Sequence, residues 1–258
     1  MTERPAAPPP SLRAVVTERQ RAAITARLGD LPEPLLHAVR DARGREFQRL
    51  EFLGDAVLEL VVRFHARVAG AGCAVCSGDA DVLVTDAALA DAAERTHLDE
   101  WLEWQPSRAR EADLVEACAC AVWLAHGWVA LAQYADQVVH PLAPVAPADV
   151  GTGWHGALAP DLHRAHEVLG ASVLEVAAAH LAYADASADE FALTKHRNRL
   201  YERHRVVKLA AAAGWLDDVP RAARALAEAR DRVEQRLADL ALAEGLEVAV
   251  DAATALLT

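Results

Sequence analysis

The chain has 258 residues, of which 53% are apolar, and its 26 Lys and Arg against 38 Asp and Glu give a formal net charge of −12. That length buries one large core or two modest ones, and the negative balance excludes a protein that coats nucleic acid through a generally basic surface. Four cysteines are too few for a disulfide scaffold.

Long Ala/Leu/Arg/Glu stretches with few aromatic residues predict an all-α fold. No unbroken apolar run is long enough for a membrane-spanning helix, and the first residues lack a charged-then-apolar leader pattern. The expectation is therefore a cytoplasmic protein without membrane contact.

In chain order, residues 1–14 begin with a Pro/Ala-rich stretch lacking apolar period and read as a disordered tail. Residues 15–140 form a first helical block, broken by short Gly, Pro and Asp punctuation. Within it, RLEFLGDAVLELVV (49–62) is apolar almost all the way round, as a helix in the middle of a domain must be. Yet Glu51, Asp55 and Glu59 recur at i, i+4 and i+8 as one acidic stripe. Carboxylates on a buried helix need a partner, either arginine or a divalent cation.

Further on, Asp113 and Glu116 share a face at i, i+3, and the ACACAVWLA that follows is again apolar. If the two acidic faces meet, four hard oxygen ligands converge, a set suited to Mg²⁺ or Mn²⁺. The alternative, surface acids on amphipathic helices, finds no polar face to occupy. Cys118 and Cys120 lie on the second apolar helix and read as small core residues. Cys73 and Cys76 sit in a Gly-containing loop, and neither pair makes a convincing zinc half.

Residues 141–160 hold four prolines and three glycines and read as a linker. The block at 161–258 repeats the first. EVLGASVLE (167–175) matches EFLGDAVLE (51–59) at six of nine positions, Asp231 and Glu234 answer Asp113 and Glu116, and Gly245 answers Gly127. Glu167, Asp231 and Glu234 thus keep three of the four acids, but Ala171 stands where Asp55 stands, so the second site is expected to be degenerate. Lys195, Arg197, Arg199, Arg203, Arg205 and Lys208 form a dense basic stretch, expected on one helical segment and able to face RNA phosphates or simply solvent.

FQRLEFLGDAVL and DLVEACACAVWLAHGW resemble the signature segment and the second acidic helix of the ribonuclease III family, across residues 22–140 and more weakly across 160–258. The resemblance implies two ribonuclease III-like helical domains forming an intramolecular pseudo-dimer, as in Dicer-like and Drosha-like enzymes. It places Glu51, Asp55, Asp113 and Glu116 at the positions of the Mg²⁺-holding carboxylates. The implied activity is endonucleolytic hydrolysis of double-stranded or structured RNA, leaving a 5′ phosphate and a 3′ hydroxyl and, with one site degenerate, nicking one strand per event. Lys195, Arg197, Arg199 and Arg203 are the implied RNA-binding residues, from the segment Leu193-Thr194-Lys195-His196-Arg197 that resembles the family's basic helix.

The sequence departs from the family in three places. Phe47-Gln48 precede Arg49 where an acid is usual, SGDADVLV (77–84) is acidic where the family is basic, and no double-stranded RNA-binding domain follows the second block. The last of these resembles the Mini-III branch and leaves room for a partner protein that supplies RNA affinity. A single-chain pseudo-dimer and a homodimer both remain open. A second reading keeps the fold without the chemistry, as an RNA- or ribosome-binding scaffold.

Overall fold

A computed structural model describes residues 28–68, 83–98, 107–139, 160–217 and 226–258. Among these residues the regular structure is all α-helix, with no strand. In chain order the elements are α1 (Glu33–Arg40), α2 (Arg45–Val68), α3 (Asp86–Thr96), α4 (Arg108–Val138), α5 (Pro160–Tyr183), α6 (Glu190–Leu200), α7 (Arg203–Ala212), α8 (Leu226–Glu244) and α9 (Leu246–Leu257). The expected tail, most of the expected linker, Cys73, Cys76 and most of the acidic 77–84 stretch lie outside the described residues.

Helix α2 packs along α4, with α3 and α1 flanking them; in the second half α5 packs along α8, flanked by α9, α6 and α7. The apolar residues dictate this. Leu50, Leu53, Val57, Leu58, Leu60 and Val61 of α2 are buried beside Leu114, Val115, Cys118 and Ala121 of α4. By length and composition α4 would suffice to cross a membrane, but most of residues 112–122 are buried in this core and Gly127 (φ 79°, ψ −170°) breaks its path. Cys118 and Cys120 are fully buried, as small core residues are.

The sequence repeat recurs in backbone detail. A side-chain carbon at Gly54 would lie 1.9 Å from the carbonyl oxygen of Glu116, and one at Gly170 would lie 1.8 Å from that of Glu234. Only glycine admits so close a helix crossing. Helix α3 ends on a left-handed residue, His97, with Leu98 N–H donating to Ala93 O; α7 ends on Gly214, with Trp215 N–H donating to Ala210 O. Gly127 and Gly245, both at positive φ, break the chain at corresponding points.

Two boundaries differ from the sequence expectation. Pro160, read as the end of a linker, is the first residue of α5, where proline's missing N–H costs nothing. The basic stretch is not one helix: Glu202, at ψ 130°, leaves helical geometry just after the cap residue Tyr201 and splits it into α6 and α7.

The halves share one continuous core, joined where α2 meets α5. Polar side chains pin that seam. Arg49, 3% exposed, donates to the carbonyls of Tyr183 (2.6 Å), Asp185 (2.6 Å) and Ala188 (3.1 Å), and its guanidinium lies over the Tyr183 ring. Arg63 donates to Ser172 Oγ at 2.6 Å. Arg67 reaches His166 Nδ1 at 3.1 Å, while His166 Nε2 faces Asp239 at 3.3 Å.

Candidate metal centre

Helices α2 and α4 bring together the acids that the sequence singled out. One carboxylate oxygen each from Glu51, Asp113 and Glu116 lies within 4.8 Å of the others. The contact at Gly54 is what allows this. It seats the backbone of α2 directly on that of α4 at Glu116, so the acids on either side of the crossing converge.

Their protonation reflects burial first and crowding second. Burial, then the charges of Asp113, Glu190 and Asp55, pushes Glu51 up to about 7. Burial, then Asp55, Glu51 and Asp113, pushes Glu116 up to about 9. Asp113 is also raised by burial, against the pull of Arg110, whose Nη1 donates to it at 3.1 Å. A set of partly buried hard oxygens whose charges also repel one another fits a divalent cation, which would offset both.

Asp55, the fourth expected ligand, lies outside the three-oxygen group. Its side chain reaches solvent, and protein around it, then Glu175, raises its carboxyl while Arg197 and Arg63 pull it down. It stands beside Glu116 as a neighbouring charge.

The expected RNA-binding residues divide. Lys195, Arg199 and Arg203 are exposed. Arg197 is committed to the seam: 19% exposed, it pairs with Glu175 at 3.2 Å and lies over the Phe52 ring at 5.3 Å. Arg205 donates to Leu257 O at 3.1 Å.

The second half answers with a different arrangement. Glu167 accepts from Gln235 Nε2 at 3.3 Å, and Glu234 is held by Arg230 Nε at 2.5 Å. Burial raises Glu234, and Arg230 draws it back. Asp231, Glu234 and Arg230 line an open pocket with Asn198, Tyr201, Glu202 and Arg203.

Three contributors escaped the sequence reading. Glu190, at the start of α6, brings a second-half acid to bear on Glu51, and Asp86, at the start of α3, acts on Asp55, Asp113 and Glu116. Neither belongs to a motif, so no spacing marks them. Arg230 had a signal: the register that pairs Asp231 with Asp113 also sets Arg230 opposite Ala112. No family model matches the chain, and no curated protein matches it.

Proposed function

We propose that the chain is a divalent-metal-dependent endoribonuclease acting on double-stranded or structured RNA, with one working site. The observation that carries this reading is the convergence of Glu51, Asp113 and Glu116 from two core helices, at a helix crossing that only glycine permits. The signature resemblance to ribonuclease III supplies the reaction class.

Glu51, Asp113 and Glu116 would hold Mg²⁺ or Mn²⁺, with Asp55 beside them. When bound, such an ion supplies Lewis-acid stabilisation of phosphate charge and lowers the pKa of a bound water. The chain's own part is positional. Arg110 holds Asp113 from the rim, and Asp55, open to solvent, is placed to orient water and to accept a proton during phosphodiester hydrolysis. The exposed Lys195, Arg199 and Arg203 supply phosphate contacts across the seam. The packing of α2 on α5 supports the paired arrangement that the family resemblance implies, an intramolecular pseudo-dimer.

The test is cleavage of double-stranded RNA, each strand end-labelled in turn, by the purified protein with Mg²⁺ and with chelator. Metal-dependent breaks in one strand per event support the reading. Failure on hairpins, duplexes and total cellular RNA, with Mn²⁺ tried as well, moves it to the second reading, a non-catalytic RNA- or ribosome-binding scaffold. That alternative draws on the second half, whose acids are already engaged by Gln235 and Arg230.

A further inference from the structure

We infer that Arg230 is a built-in cation that takes, in the second half, the electrostatic role a divalent ion would have, so that this half is metal-independent and the chain binds metal at one end only. The inference depends on the correspondence of the two halves and not on RNA cleavage.

The correspondence is fixed by backbone. Gly54 touches Glu116 as Gly170 touches Glu234, which superposes the two helix crossings. In that register Arg230 falls where the first half has Ala112, and both positions are buried, at 5% and 2% exposure. From there Arg230 reaches forward one helical turn. Its Nε donates to Glu234 at 2.5 Å and its Nη1 to the Tyr201 carbonyl at 3.3 Å, and the guanidinium lies 4.4 Å over the centre of the Tyr201 ring. A side chain at residue 112 has the same i, i+4 relation to Glu116.

A planar guanidinium held by a carboxylate, a carbonyl and an aromatic face is fixed in place. A divalent ion entering the second site would meet that positive charge at close range and would have to break the pair with Glu234. Breaking a buried pair leaves one charge uncompensated, a strongly unfavourable outcome. Ala171 acts in the same direction, by removing the acid that corresponds to Asp55. The second half therefore has one acid fewer and one buried base more.

Arg110 of the first half is not an equivalent. It is 34% exposed, touches Asp113 from outside, and occupies a rim position where the second half carries Glu228. It can move aside for an ion in a way that Arg230, stacked and hydrogen-bonded in the interior, cannot.

The experiment uses the full chain carrying E51Q and E116Q, which removes two of the first half's three ligands, and follows Mn²⁺ by the loss of its free-ion paramagnetic signal together with the thermal midpoint. With Arg230 present, no Mn²⁺ binding and no Mn²⁺-dependent shift are expected. Adding Arg230→Met should create both, and Arg230→Lys should suppress them again. A Met variant that folds only when Mn²⁺ is present supports the inference equally. Mn²⁺ bound by the second half with Arg230 intact overturns it, as does a folded Met variant indifferent to Mn²⁺.

The reciprocal variant, Ala112→Arg in the otherwise native chain, gives the first half its own cation. It should raise the midpoint in chelator and abolish Mn²⁺ binding there; a Mn²⁺ affinity unchanged by the substitution overturns the inference. Because the E51Q/E116Q series lacks two of the first half's three ligands throughout, its outcome is separate from whether the native protein cleaves RNA.

Discussion

The backbone of α2 at Gly54 rests on the backbone of α4 at Glu116, so closely that a side-chain carbon on the glycine would fall 1.9 Å from the Glu116 carbonyl oxygen. Gly54→Ala must push the two helices apart and with them the acids they carry. The expected cost is about 3 kcal/mol of stability, with metal-dependent cleavage lost even under conditions where the variant stays folded. Gly170→Ala should cost a similar amount without that effect on metal. Chemical unfolding of both, compared with Mn²⁺ binding, checks the pair.

Asp55→Asn and Glu116→Gln should each abolish cleavage while leaving the helical circular-dichroism spectrum unchanged. They should differ in metal affinity, because Glu116 belongs to the three-oxygen group and Asp55 stands outside it. Glu116→Gln should weaken Mn²⁺ binding by at least tenfold, and Asp55→Asn by clearly less. Cleavage retained by both variants would remove the site assignment.

Stability should depend on pH in a direction opposite to that of most carboxylates. Glu51 and Glu116 stand at about 7 and about 9 in the fold against an ordinary 4.5, so between those limits the folded chain holds more protons than the unfolded one. Stability is then lost as pH rises through that window, and below it the contribution is flat. In chelator the thermal midpoint should fall from pH 5 to pH 9; with Mg²⁺ the fall should shrink. A chelator profile no steeper than that of E51Q/E116Q would rule out the repulsion described.

The basic residues should separate by salt dependence. Lys195→Ala, Arg199→Ala and Arg203→Ala should each lower the slope of log affinity against log salt by about 0.7 to 0.9 per phosphate contact removed. Arg197→Ala should leave the slope nearly unchanged and lower stability instead, since it is spent on Glu175 and Phe52. Filter binding to a short RNA duplex at several salt concentrations distinguishes them.

The helical class and the duplication were legible because both rest on local pattern. The apolar wrap of residues 49–62 fixes a buried helix, and a six-in-nine identity fixes the register of the repeat. Glu51, Asp113 and Glu116 were legible for the same reason, as acids with no polar face to explain them. Asp55 shares a helical stripe with Glu51, but stripe membership does not say which neighbours meet a side chain; Glu175 and Arg197 come at it from the other half of the fold. The break at Tyr201–Glu202 carries neither Gly nor Pro, so nothing local announces it. The role of Arg197 depends on Phe52 and Glu175, two residues brought together only by the packing of one half on the other.

The grip of Arg49 has a bearing on what the chain can shed. Two residues ahead of Glu51, it places its hydrogen bonds on carbonyls of the other half, at Tyr183, Asp185 and Ala188. Truncation to the first half would remove the hydrogen-bond partners that Arg49, Arg63 and Arg67 find in the second half and expose the apolar side of α2 that faces α5. On the proposed function, the second half would thus be needed as a support for the first even without a metal site of its own. The carbonyls that receive Arg49 come from the backbone, so any sequence that keeps the turn supplies them.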